Sequence, residues 1–192
     1  MKQNGNATWP EIFDDWRARE ASNPGWVHTA TVVKGWPDWE SWRQLTVKQL
    51  RLDDRQWTMF GLDQPLTEIP AMLIGPHSGW QKNLPVPNVS TFGDLANIPE
   101  QAEHFAALSV TKQLRQKFPA QTRLIGLRRP DGRIVLIEGH HRAMAIALAA
   151  KDGQRLDCGD VRIALADLQP AEAGLLDVVL ARGTTKVPPA GT

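Results

Sequence analysis

One short run concentrates the side chains able to act on a ligand. Ile137-Glu138-Gly139-His140-His141-Arg142-Ala143 sets a carboxylate, two imidazoles and a guanidinium around one glycine, where an apolar segment gives way to an alanine-rich one. Glycine lets the backbone turn tightly, and a helix beginning directly after it presents N–H groups that no helical carbonyl takes up, which is a ready site for an anion. Arg142 adds a planar fork of donors suited to phosphate or carboxylate, while His140 and His141 add donors or a proton-transfer group. Glu138 can hold a metal-bound water, orient a histidine, or contact a ribose or substrate hydroxyl. A purely structural reading competes: the histidines cap the helix and Arg142 pairs with Glu138. Four polar residues fall within the five positions 138–142, and Arg123, Arg128, Arg129 and Arg133 lie on or beside the segment leading in, which favours the anion site.

The elements that position this run are the clearest in the chain. Residues 123–127 (RLIGL) and 133–138 (RIVLIE) read as strands joined by Pro130-Asp131-Gly132, a strong turn signal, so they form a hairpin. Residues 140–151 are Ala-rich and stopped by Asp152-Gly153, which predicts a helix. Upstream, 10–19 carries helix signals that Asn23-Pro24-Gly25 ends, and Trp36, Trp39 and Trp42 are spaced to line one side of a helical turn. Segments 44–52 and 56–62 suggest two strands, or a strand following a helix. Residues 70–87 read as a long loop with Met72-Leu73-Ile74 as a short strand, 99–103 and 110–118 as helical pieces, 161–165 as a strand and 171–180 as a helix.

Composition sets the class. The 192 residues are 42% hydrophobic and 22% charged, with 22 basic against 21 acidic side chains, so a soluble globular protein is expected rather than a fibrous or disordered one. No segment approaches the roughly 20 apolar residues that span a bilayer, and the first dozen residues lack an apolar core, so a cytoplasmic location is expected. A net charge of +1 gives little support for nucleic-acid binding. By segment, however, residues 1–99 hold 9 basic and 11 acidic groups and 100–192 hold 13 and 10, so basic groups gather in the second half. All eight Trp fall between Trp9 and Trp80. Such a set can stack bases or sugars, but the absence of interleaved Lys and Arg favours core or interface. His77-Ser78 is read as a lid or turn, and the single Cys158 has no basic sequence neighbour to activate it.

The stretch from about residue 100 to 151, containing LIGLRRPDGRIVLIEGHHRAMAIA, resembles the ParB/sulfiredoxin-fold superfamily, in which a hairpin delivers a Gly-x-x-Arg motif to a phosphate-binding helix start. The resemblance implies an α/β (α+β) protein with a mixed sheet: a Trp-rich N-terminal region (1–87), a ParB/sulfiredoxin-like domain (88–182) and a disordered tail (183–192). Sulfiredoxins carry a nucleophilic Cys where this chain has His140, so their reaction is not expected. Partition-type ParB proteins carry Gly-Glu-Arg-Arg and a helix-turn-helix, which this chain lacks. Its Gly-His-x-Arg form is similar to the free-serine kinases of the fold. That likeness implies Glu138, Gly139, His140, His141 and Arg142 as the nucleotide cradle for ATP or ADP, with CTP possible, and with Mg²⁺ nearby. It also implies a base among Glu100 and Glu103, beside His104, with His140 and His141 as further catalytic candidates. The implied activity is phosphoryl transfer to an unidentified small molecule, or nucleotide hydrolysis; the alternatives are a non-catalytic nucleotide-sensing or protein-binding module and, less favoured, a nuclease.

Overall fold

The computed structural model describes residues 1–84 and 86–181; the expected disordered tail lies outside them. In chain order the elements are β1 (Lys2–Ala7), α1 (Trp9–Glu20), α2 (Pro24–His28) running into a π-helical turn (Thr29–Val33), α3 (Trp39–Leu50), β2 (Trp57–Gly61), α4 (Pro65–Glu68), α5 (Ser78–Gln81), α6 (Phe92–Ala96), α7 (Pro99–Ala107), α8 (Ser109–Gln116), β3 (Gln121–Arg128), β4 (Ile134–Glu138), α9 (His140–Lys151), β5 (Asp160–Asp167), a 3₁₀ turn (Pro170–Glu172) and α10 (Gly174–Ala181). The fold is α/β with one mixed sheet in the order β1-β2-β5-β3-β4. β3 and β5 run parallel, joined through β4 and α9, and the other pairs are antiparallel.

Alternation along the strands divides the core. Leu124, Ile134, Leu136, Ile163 and Leu165 point to the face covered by α6, α7 and α9. Ile125, Leu127, Val135, Ile137 and Ala164 point to the face covered by α1, α3 and α10, where Trp9, Trp16, Trp39 and Trp57 form an aromatic layer. Buried on both faces, β3, β4 and β5 read as continuous apolar runs. α9 is closed in on every side, with 143–149 all buried, which is why its sequence has no polar stripe.

The hairpin, α9 and β5 match the sequence expectation, and 39–50 followed by 57–61 is a helix followed by a strand. Two features differ, and the short strand expected at 72–74 gains a partner. Asn23 does not only end α1: its side chain accepts from Gly25 N at 3.0 Å and starts α2. β1 escapes sequence reading because its residues are mostly polar and almost all exposed, so only its backbone pairing with β2 defines it. Leu73 pairs with Ile134 and Leu136 through both its amide and its carbonyl, so residues 72–74 extend the outer edge of β4. With β2 inside the sheet and 72–74 at its edge, sheet hydrogen bonds join residues on both sides of position 87.

Candidate functional site

The turn from β4 into α9 can be made only by glycine. Gly139 has φ +104°, a left-handed conformation, and a Cβ there meets Leu124 Cδ2 at 2.2 Å. The tight turn starts α9 directly at the end of β4 and brings Glu138, His140 and Arg142 together. Glu138 is 5% exposed and holds two guanidinium groups: Arg142 pairs with Oε1, and Arg19, from α1, reaches Oε2 at 3.4 Å. Arg142 is therefore committed to an internal carboxylate, as the structural reading of the motif anticipated.

His140 is buried and neutral. Its Nε2 accepts from Gly75 N at 3.1 Å, which places its own proton on Nδ1, and burial holds its pKa well below the ordinary imidazole value, helped by His77, His141 and nearby arginines. Gly75 has no room for a side chain, since a Cβ lies 2.0 Å from Leu136 O. His77 Nε2–H donates to Ile137 O at 3.1 Å, so the His77-Ser78 loop is pinned onto the end of β4. Because the folded form keeps His140 neutral, the unfolded chain takes up the proton first as pH falls. The stability contribution is then full above about pH 6.5 and is lost on acidification below it. Thermal unfolding from pH 8 to pH 5 is expected to show Tm falling below pH 6.5, with a shallower fall in His140→Leu; an equal fall in that variant places the acid-sensitive group elsewhere.

A cavity of about 250 Å³ opens beside this turn. Gly139, His140 and His141 form one wall, Trp80 and His77 another, and α1, α2 and α3 close it with Trp16, Glu20, Trp26, Trp42 and Arg43, while Lys34 lies at the rim segment after the π-helical turn. Trp80 stacks on Phe105 (4.8 Å, 4°) and meets the rings of His140 and His141 edge-on or tilted at 5.2 and 5.1 Å. It thus separates this cavity from a more open one lined by Lys82, Asn83, Gln101 and His104, and His141 belongs to both. Burial lowers the His141 pKa against the opposing pull of Glu20, and its Nδ1 has no hydrogen-bond partner. Sequence reasoning missed Glu20, Arg43 and the roles of Trp16, Trp26 and Trp42, which lie a hundred residues from the motif; the clustering of Trp in the first 80 residues was the available signal.

The structure gathers Glu138, Gly139, His140, His141 and Arg142 at one place. Glu100 and Glu103 are exposed on α7 and line neither cavity; on that helix it is Gln101 and His104 that face His141. The hairpin arginines also lie elsewhere. Arg128, Arg129 and Arg133 sit at the turn end of the hairpin, one strand length (about 17 Å for five residues) from Gly139, paired with Asp167 or Asp131, and Arg123 pairs with Asp160. Cys158 is buried, and burial raises its thiol pKa.

Among the described residues no group of three or more His, Cys, Asp or Glu side chains is placed to hold a metal ion. With Glu138 engaged by two arginines, the residues at the turn do not fit a protein-held Mg²⁺. No helix of the described residues is long and apolar enough to cross a membrane. No family model, curated protein or solved structure matches the chain. The ParB/sulfiredoxin likeness accordingly rests on the residues of β3, β4 and α9 themselves.

Proposed function

We propose that the protein binds a nucleotide in the cavity at the β4–α9 turn, within a ParB/sulfiredoxin-like arrangement of hairpin and helix. The observation that carries this reading is the meeting, in one cavity, of a helix start opened by Gly139 with indole side chains from three separate segments, Trp26, Trp42 and Trp80. The first amides of α9 suit a phosphate. Indoles suit a base, because every base has a π-face to stack. Among the residues that line the cavity charge is balanced, Glu20 and Glu138 against Lys34 and Arg43, so the anion is met by the amides of α9 rather than by an excess of cations.

Binding without turnover is the favoured form, since the carboxylates of α7 that a kinase of this fold requires as base are exposed and apart from the cavity. A second reading, phosphoryl transfer or hydrolysis, is favoured by one feature. His141 is a neutral imidazole with an unpartnered Nδ1, shared by both cavities, and can accept a proton. Thermal unfolding with ATP, ADP, CTP, GTP and pyrophosphate, with and without Mg²⁺, tests the proposal. A ligand at 100 times its Kd stabilises by about 2.7 kcal/mol, a Tm rise of about 5–10 °C for a chain of this size. No shift with any nucleotide contradicts binding, and phosphorus NMR of the same mixtures separates a binder from an enzyme.

A further inference from the structure

Three residues of the cavity wall carry buried polar atoms that the fold itself leaves unanswered. Trp16 Nε1, Arg43 Nε and His141 Nδ1 are buried, have no hydrogen-bond partner, and belong to residues lining this one cavity. Buried polar groups are nearly always paired, so three orphans around one space point to a missing partner there. Trp16 is 2% exposed and fixed edge-on against Trp39 at 5.5 Å. The Arg43 guanidinium lies 4.1 Å over the Trp42 ring and within 5.6 Å of three more indole centroids. It is anchored by Glu20 Oε2 at 2.7 Å, and Trp39 Nε1 donates to that same oxygen at 3.0 Å. Both bonds to Glu20 thus fall on Oε2, which leaves Oε1 as an acceptor.

Two N–H donors beside a carboxylate oxygen, walled by indoles, match the edge of a planar heterocycle that carries both acceptors and a donor. We infer that the Trp16–Glu20–Arg43 wall reads the edge of a nucleobase, so that the ligand enters base-first and leaves its phosphate at the first turn of α9. This rests on the nucleotide-binding reading and adds a ligand class to it. At about 250 Å³ the cavity is smaller than the roughly 300–1,000 Å³ of sites that engulf drug-sized molecules. The fitting ligand is therefore a nucleoside monophosphate, any longer phosphate chain remaining outside.

Isothermal titration of the full chain with AMP, GMP, CMP, UMP, ribose 5-phosphate and pyrophosphate provides the test, repeated on Trp16→Phe, which keeps an aromatic ring and removes the donor, and on Glu20→Gln. At least one monophosphate is expected to bind ten times more tightly than ribose 5-phosphate. Trp16→Phe should weaken that ligand about tenfold while leaving pyrophosphate unchanged, and Glu20→Gln should reorder the four bases. Equal affinity for all six ligands, or a uniform loss in both variants, overturns the base-reading wall while sparing the phosphate site. Failure of every nucleotide and of pyrophosphate overturns nucleotide binding itself. Circular dichroism confirms each variant is folded; should Trp16→Phe not fold, the base ranking in Glu20→Gln decides alone.

Discussion

Gly139→Ala is expected to lower stability by about 3 kcal/mol, or roughly 6–12 °C in Tm. Two costs add. An alanine forced into the left-handed region at φ +104° loses about 1–2 kcal/mol. Its methyl group, 2.2 Å from Leu124 Cδ2, must displace a side chain that is 1% exposed and packed between sheet and helices, an overpacking cost of about 1–3 kcal/mol. The same change tilts the start of α9 and so moves His140, His141 and Arg142 together. Loss of ligand response alongside a lowered Tm is therefore the expected pair of results. A variant as stable as wild type contradicts the geometry of the turn.

Glu20→Ala is expected to cost about as much or more, and for an electrostatic reason. Arg43 sits among four indoles with its side chain only 13% exposed, and Glu20 is its only ion-pair partner among the described residues. Removing one member of a buried pair leaves a desolvated charge and typically costs about 3–5 kcal/mol, whereas removing both costs less. Denaturant unfolding should thus find Glu20→Ala clearly less stable than Glu20→Ala/Arg43→Met, in which the charge is gone and an apolar side chain fills the cage. If the double variant is the less stable of the two, Arg43 is not desolvated and the cavity wall is open to water.

How far the sequence reveals these features depends on how local their causes are. The hairpin and α9 were legible because turn chemistry at Pro130-Asp131-Gly132 and an unbroken apolar run act over a few residues. Gly139 as the pivot was legible for the same reason. β1 was not, because a mostly polar, exposed segment gains its strand identity only from β2. The α7 carboxylates illustrate helical phase: Ala102 and Phe105 face the core, so Glu100 and Glu103 point to solvent while Gln101 and His104 flank the site. The direction of the hairpin defeats the arginine argument, since neighbours in sequence to the turn at 129–133 lie at the opposite end of β4 from Gly139. The cavity itself needs tertiary structure: its inner wall comes from α1 and α3, which the sheet alone brings to the end of β4.

Hydrogen exchange of backbone amides, with and without saturating nucleotide, tests the central claim most directly because it locates the ligand as well as detecting it. Slowed exchange is expected in 138–143, at the turn and first amides of α9, and in 26–43, which carries the indole wall. Protection confined to other segments, or no protection under conditions where nucleotide is bound, contradicts a binding site at the β4–α9 turn.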